Sequence, residues 1–468
     1  MQKSDVVQLI GRLPKGDRRA LRKFLQPGMH NTREEVHQLY LLIDKQLNKK
    51  PEMLHKERAF AQLFPGATYD DQLMRHAMSY LLKAVETYLI FQEASRNEIT
   101  EKILLLTAYR KLRMEKHFQR TLRMVRKKLD QSHTQDTRYF QQCFQVEQEI
   151  YLQNERKKRD MQRDLGEMVE WMDIAYLTQK LRQSCRQSAH QAVYKVEYDQ
   201  RLLQQLLVFL EQSDLLDYPA ISLYFYYLKA VQAPHEKQWF DQLKMGFMAH
   251  QAKFSKREQQ ELLQLAINFT IRQFNTGEAH YLRDTFELYR LGLELELLLE
   301  DGYLSRFAFK NIAGIAIRLQ EYAWTEQFIE RFAAKLPMLH RTTYVDYCLA
   351  KLRFAQGHYQ QALQRLQAVA YDDLFLNLDT KVLQLKIYVE LDEEELLDAL
   401  LTSFKRFIER KKGMGYHRKT YLNTIYFTRK IMELNPFDRS AQALLAQKIE
   451  AEPALAEREW LLEKLRRE

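Results

Sequence analysis

Residues 307–369 contain two segments that align with each other at a spacing of 35 residues. In FKNIAGIAIRLQEYAWTEQFIERF, Trp324 follows a first amphipathic segment, and Tyr359 holds the same place in VDYCLAKLRFAQGHYQQALQRLQAV. A repeat of about 34 residues is typical of a unit of two helices, neither of which can bury its apolar face alone. Such units must stack on their neighbours, so this stretch predicts an extended array of helices.

The rest of the chain also favours helices. It has 468 residues but only 9 prolines and 13 glycines, well below the usual shares of about 5% and about 7%. The Asp-Gly pair Asp301-Gly302, a common hairpin turn, stands between helical patterns and not between alternating strand patterns. We therefore predict an all-α protein.

The predicted helix pairs are clearest in the last third of the chain. First helices are expected to begin near Ser305, Thr342, Asn377 and Tyr416. Second helices are expected at 322–334, 358–370 and 393–410. The final segments, 440–450 and 453–467, are highly charged outside a narrow apolar stripe, which is typical of helices that cap a repeat array.

One helix pair carries large and small residues at fixed steps that let two helices pack closely. These residues are Leu349 and Ala350 in the first helix, Gly357 in the turn, and Tyr359, Ala362, Leu366 and Val369 in the second helix. The pattern resembles a tetratricopeptide repeat. The segments NFTIRQFNTGE, FKNIAGIAIRLQEYAWTEQFI and YVELDEEELLDALLTSFKRFI are also similar to a group of bacterial helical-repeat proteins of unassigned function. The resemblance implies a right-handed, tetratricopeptide-like solenoid and supplies no activity.

The patterns together divide the chain into five predicted regions. They are a short-helix N-terminal region (1–66), a basic long-helix region (67–160), degenerate helical repeats (161–300), tetratricopeptide-like repeats (301–435) and C-terminal capping helices (436–468).

Positive charge is concentrated in the first third of the chain. Residues 1–160 hold 31 Lys and Arg against 20 Asp and Glu, whereas residues 161–468 hold 41 against 42. Within a predicted helix, the apolar residues Phe118, Leu122, Val125 and Leu129 recur every three or four positions. The basic stripe follows the same spacing two positions away, about 200° around the helix, and consists of Arg113, Lys116, Arg120, Arg123 and Lys127. It is therefore predicted to face away from the core, either as a solubilising surface or as a partner-binding site.

Motifs that would carry chemistry are absent from the sequence. It has no phosphate-binding glycine loop, no pair of histidines at metal-ligand spacing and no CxxC motif. The three cysteines, Cys143, Cys185 and Cys348, lie in apolar helical patterns and are predicted to be buried thiols. Most aromatic residues at helical spacing are predicted to be core, although a ligand surface is an alternative. The row 224–228 is the exception, because five adjacent apolar residues surround a helix and cannot all face one side. We predict no catalytic residue, no cofactor, no metal and no enzymatic activity.

Two functions remain as hypotheses. The sequence has no apolar run long enough to cross a membrane and no secretion signal, so we expect a cytoplasmic protein without a membrane partner. The leading hypothesis is a non-catalytic adaptor or scaffold that binds a protein or peptide in the groove of a helical-repeat stack. The alternative is a nucleic-acid-binding protein that uses the basic stripe. The oligomeric state stays open.

Overall fold

The computed structural model describes residues 1–48, 55–155, 165–367, 373–411, 414–415, 417–435 and 437–466. These residues form 23 α-helices and one hairpin of two very short strands, so the predicted all-α class is confirmed. The chain divides into two compact units, residues 1–180 and 181–468. Across the described ranges, no helix combines the length and the apolar character that a bilayer span requires.

Unit 1 is entirely helical where it is described. Its helices are α1 (Asp5–Arg12), α2 (Lys15–Phe24), α3 (Glu34–Leu47), α4 (Lys56–Leu63), α5 (Asp71–Ser95), α6 (Glu98–Lys111), α7 (Glu115–Asp130), α8 (Thr137–Asn154) and the first part of α9 (Gly166–Tyr194).

The first core of unit 1 lies among α1 to α5. Side chains such as Ile10, Leu39 and Leu81 are fully buried there. The long helix α5 starts at a strong cap, because the Asp70 carboxylate accepts the backbone N–H groups of the first turn. Helices α1, α2 and α3 pack against α5, and α4 packs against α3.

The second core of unit 1 lies among α6, α7 and α8. The four apolar residues predicted to form one face of α7 are all buried, with between 0% and 7% of their surface exposed: Phe118, Leu122, Val125 and Leu129. They pack with Leu106 of α6 and Val146 of α8. The spacing of the apolar residues thus fixes which side of α7 faces solvent.

Unit 2 contains the remaining helices and the hairpin. These are the end of α9, α10 (Leu203–Glu211), α11 (Pro219–Gln232), α12 (Lys237–His250), α13 (Lys256–Asn275), α14 (Tyr281–Glu294), β1 (Leu299–Glu300), β2 (Tyr303–Leu304), α15 (Arg306–Arg318), α16 (Tyr322–Ala333), α17 (Arg341–Ala355), α18 (Tyr359–Gln367), α19 (Leu374–Glu390), α20 (Glu394–Arg410), α21 (His417–Met432), α22 (Arg439–Ala451) and α23 (Arg458–Arg466).

Successive helices of unit 2 pack as antiparallel neighbours in pairs. Helix α15 packs on α16, α17 on α18, and α19 on α20, while α15 also contacts α17 and α17 contacts α19. In the α17–α18 pair, Ala350 and Ala362 are fully buried, and Gly357 takes the left-handed backbone conformation in the turn, with φ of +80°. The two alanines are thus buried and the glycine lies in the turn, whereas Val369 lies outside the described residues.

Two segments differ from the sequence-based predictions. Asp301 and Gly302, both with positive φ, form the turn of the hairpin of β1 and β2 and not a simple break between helices. The last helix, predicted to begin at Pro453, begins at Arg458, and residues 452–457 are irregular. Asn423 and Thr424 of α21 hydrogen-bond to carbonyl groups of this irregular stretch, which also contributes to the site.

Candidate functional sites

A cavity of about 410 Å³ opens on one face of unit 2. Its walls come from α13, α14, α15, α17, α19 and α21, together with the irregular segment before α23. From α15 to α19 these are the first helices of successive pairs. We call this cavity the groove. Its charged and aromatic lining residues are Phe274, Lys310, Arg318, Tyr347, Lys351, Phe354, Asp379, Lys386, Tyr421 and Glu457.

A glycine in the middle of α15 forms part of the groove floor. A Cβ atom added to Gly314 would meet the Lys351 Nζ atom at 3.5 Å, an ordinary contact distance, and nothing else within 4 Å. Glycine inside a helix costs about 0.5–1 kcal/mol relative to alanine. Packing therefore does not require a glycine at this position. Because glycine has no side chain, the floor of the groove stays open there.

Four cations and two carboxylates line the groove. Lys310 Nζ lies 2.6 Å from an oxygen of Asp379, and the Tyr421 hydroxyl donates to the other Asp379 oxygen at 2.9 Å. At the opposite wall, Lys386 Nζ lies 2.6 Å from a Glu457 oxygen. Lys351, the third lysine that lines the groove, forms no ion pair with any described residue. The groove therefore carries an excess of positive charge.

The irregular segment 452–457 lies against α21 by hydrogen bonds to its backbone. Asn423 Nδ2 donates to the Ala454 carbonyl at 2.9 Å, and Thr424 Oγ1 donates to the Ala456 carbonyl at 3.3 Å. Glu457 has a φ of +56°, the left-handed region that costs a residue with a Cβ roughly 1–2 kcal/mol. In this conformation its side chain reaches Lys386. Side chains of α21 thus hold a stretch of non-helical backbone at the groove wall.

Charge at this wall shifts the titration of Glu457. Burial alone would raise the pKa of its carboxyl, but Lys386, Lys351 and Arg318 outweigh burial and lower the pKa. Just beyond it, Arg318 Nη2 lies 2.6 Å from a Glu459 oxygen. The C-terminal segment therefore presents two carboxylates to cations of α15, α17 and α19.

The basic stripe lies in unit 1, mainly on α7. Lys116, Arg120, Arg123 and Lys127, the four α7 cations, are exposed on the face opposite the buried residues of that helix. Arg113 lies outside the helix, in the turn between α6 and α7, with φ of +58°. The prediction that Arg113 continues the helical spacing is wrong, because α7 begins only at Glu115.

The cations around the basic stripe differ from it in their contacts. Arg126 pairs with Glu147 at 2.9 Å, Lys128 pairs with Glu98, and Arg110 pairs with Glu149 at 2.6 Å. Among the described residues, no carboxylate forms an ion pair with any member of the basic stripe. The structure thus separates cations that hold α6, α7 and α8 together from cations that face solvent.

Chemistry based on thiols finds no support in the geometry. Cys143, Cys185 and Cys348 are buried and free. Burial raises the pKa of Cys143 and of Cys348 to about 12, so these thiols stay protonated. Within the described ranges, no three His, Cys, Asp or Glu side chains come together as a metal site. The aromatic row 224–228 belongs mostly to the core, with four of its five side chains buried.

Sequence reasoning missed the groove cations. One signal was present: Lys351 and Lys386 are 35 residues apart, the same spacing as Trp324 and Tyr359. Equivalent positions in consecutive helix pairs point to the same side of a stack. A comparison of charged residues at that spacing would have placed both lysines on one wall.

No family model, no curated protein and no solved structure matches this chain. The resemblance to tetratricopeptide repeats therefore stays a prediction.

Proposed function

We propose that unit 2 is a tetratricopeptide-like solenoid whose groove binds a protein or peptide segment, and that the protein is a non-catalytic adaptor. The observation that supports this most is the segment 452–457, since the groove wall already holds a stretch of irregular backbone through Asn423 and Thr424. An adaptor groove has to hold extended backbone in the same way, through side chains that bond to carbonyl groups.

The groove floor offers a direct test. The variant Gly314→Phe places a large side chain in the groove, and the control Gln327→Phe places the same side chain at an exposed position of α16 that does not line the groove. Both full-length variants are used to capture partners from a lysate of the source cells. Affinity for a purified, captured partner is then measured by calorimetry.

We expect Gly314→Phe to weaken binding by about tenfold or more, and Gln327→Phe to leave it unchanged. Thermal melts followed by circular dichroism check that both variants fold. Equal affinity of both variants for every captured partner would overturn the proposal, because the partner would then bind elsewhere.

A second function is favoured by a separate observation: the four α7 cations are exposed and lack ion pairs with described residues. We propose that they bind the phosphate backbone of a nucleic acid. Backbone binding depends on unpaired, solvent-facing Lys and Arg side chains that displace counterions. The paired cations Arg126 and Lys128 of the same helix supply the matched control.

Fluorescence anisotropy with labelled duplex DNA and single-stranded RNA tests this function at several salt concentrations. The double variant Arg120→Gln/Arg123→Gln should weaken binding and reduce the slope of log affinity against log salt by about 1.8 for duplex DNA. The control Arg126→Gln/Lys128→Gln removes the same charge and should change the slope less. Tighter binding of a polyglutamate peptide than of either nucleic acid would instead assign the basic stripe to an acidic protein.

A further inference from the structure

We infer that the groove selects acidic peptide segments, and that the carboxylates of Glu457 and Glu459 compete with such a segment for the groove cations. This inference rests on the proposed function of the groove and names its partner by chemistry. The chain's own C-terminal segment then acts as an internal competitor that sets the affinity.

Charge supports an acidic occupant. The groove holds Lys310, Arg318, Lys351 and Lys386 against Asp379 and Glu457. Asp379 is held by Lys310 and by the Tyr421 hydroxyl, so it belongs to the wall. Of the remaining three cations, Lys386 pairs with Glu457 and Arg318 pairs with Glu459, so a peptide that displaces these carboxylates must itself supply negative charge. Complementary charge of this kind governs which partner is accepted.

The positions of Glu457 and Glu459 identify them as competitors. Glu457 contacts Lys386 of α19, and Glu459 contacts Arg318 of α15, both at 2.6 Å. The Glu459 side chain is 82% exposed and that of Arg318 is 46% exposed. An exposed ion pair contributes only about 0.2–1 kcal/mol, so a multivalent acidic segment can replace the Glu459–Arg318 pair. The Glu457–Lys386 pair is less exposed, with 38% of the Glu457 side chain and 14% of the Lys386 side chain accessible, and is the harder of the two to displace.

Helix α23 does not need to leave its place. Trp460, Leu461 and Leu465 are buried against α21 and α22, and Lys464 pairs with Glu390 where both side chains are almost fully buried. The exchange therefore involves the two carboxylates at the start of the helix and not its release. Arg318 also packs over the Phe274 ring, 4.7 Å from its centre, so it stays positioned when its carboxylate partner changes.

The test uses full-length protein and a fluorescein-labelled peptide of Glu and Trp, with a Lys and Trp peptide as the charge control. All proteins carry Arg120→Gln/Arg123→Gln, which weakens binding of the probe to the basic stripe. The competitor variant is Glu457→Gln/Glu459→Gln. A matched control, Glu326→Gln/Glu433→Gln, changes the net charge equally and breaks two surface ion pairs at residues that do not line the groove.

The competitor variant should bind the acidic peptide about two- to tenfold more tightly, in line with the loss of one exposed and one partly buried ion pair. Its control should change affinity by less than about twofold. The reciprocal variant Lys386→Gln/Arg318→Gln breaks the same two ion pairs from the other side and should bind more weakly. Opposite signs are the decisive result, because a merely structural role of the ion pairs predicts the same sign for both variants.

Failure of this inference and failure of the proposed function are distinguishable. If Gly314→Phe removes peptide binding while Glu457→Gln/Glu459→Gln leaves it unchanged or weaker, the groove binds peptides but the carboxylates do not compete. If Gly314→Phe leaves binding of the acidic peptide unchanged, the groove is not the site and both ideas are overturned. Equal affinity for the acidic and the basic peptide removes the acidic selectivity.

Discussion

The basic stripe of unit 1 and the groove of unit 2 present their cations in opposite ways. On α7, Lys116 and Arg120 face solvent and form no ion pair with a described residue. In the groove, Lys386 and Arg318 are held by carboxylates of the chain's own C-terminal segment. A polyanion can therefore bind the first surface directly, whereas it must displace an internal carboxylate at the second.

A third kind of cation belongs neither to the basic stripe nor to the groove. Arg182 lies in the core of unit 2, where its Nη1 atom is 3.2 Å from Glu258 and its Nη2 atom is 2.6 Å from Glu261. The Tyr224 hydroxyl donates to Glu258 at 2.7 Å. Within the described residues, cations thus range from buried and paired, through exposed and paired, to exposed and unpaired. Sequence counts of charge do not distinguish these three environments.

The largest expected effect comes from the buried cation. We expect Arg182→Met to lower the free energy of unfolding by about 3–5 kcal/mol, because it leaves Glu258 buried without its cation. Arg120→Met, on the exposed face of α7, should change it by less than about 0.5 kcal/mol. Urea denaturation followed by circular dichroism measures both. Similar values for the two variants would show that the division between structural and available cations is wrong.

The helices of this protein follow from its sequence to a large extent. The alternation of three and four positions placed Leu122 and Val125 on the buried face of α7, and a helix has only one such face. The predicted first helices near Ser305 and Thr342 correspond to α15 and α17, which begin at Arg306 and Arg341. Periodicity succeeds here because burial of an apolar face is decided locally along the helix.

The groove could not be predicted in the same way. It depends on which side chains of α15, α17, α19 and α21 meet, and on the irregular segment 452–457 that lies against them. The sequence predicts a helix from Pro453, whereas hydrogen bonds from Asn423 and Thr424 hold the segment in another conformation. Those donors lie about 30 residues away, so a local pattern carries no information about them.

A smaller effect concerns Glu261, one of the two acids that pair with Arg182, and it depends on pH. Burial would raise the pKa of the Glu261 carboxyl, but hydrogen bonds from Arg186 and Arg182 outweigh burial and lower it. Because the pKa of Glu261 is lower in the folded state, its carboxylate stabilises the fold at pH values above the unfolded-state pKa, about 4.3. This stabilisation is lost as the pH falls through the folded-state pKa. Glu261→Gln should therefore cost about 1.5–3 kcal/mol at pH 7 and less at acidic pH.

Urea denaturation at a series of pH values tests this expectation. The difference between the wild type and Glu261→Gln should narrow as the pH falls below about 4. Glu326→Gln is the control, because the Glu326–Arg353 pair lies at the surface, where ion pairs contribute about 0–1 kcal/mol. A difference that stays constant down to pH 3 would show that Glu261 contributes by packing and not by its charge.

Substitutions at two helical glycines of unit 2 should have smaller effects on stability. One glycine lies in the core and the other lines the groove. A Cβ atom added to Gly292 would lie 2.6 Å from Leu263 and 2.9 Å from the Cγ atom of Leu298, so neighbours must move. We expect Gly292→Ala to lower the free energy of unfolding by about 1–2 kcal/mol, since overpacking outweighs the gain in helix propensity. Urea denaturation measures the change, and a stabilised variant would contradict the close approach at this helix.

The smallest effect on stability is expected at the groove glycine, where the substitution should stabilise the fold. Gly314→Ala adds a methyl group at ordinary contact distance from Lys351 Nζ, so we expect it to raise the free energy of unfolding by about 0.5–1 kcal/mol. A methyl group is too small to fill the groove, and peptide affinity should stay within about twofold of the wild-type value. Stabilisation would mean that the chain carries a glycine in α15 at a cost to stability, as binding surfaces often do. Destabilisation would show that packing requires Gly314, and the glycine would then no longer support a role of the groove floor in binding.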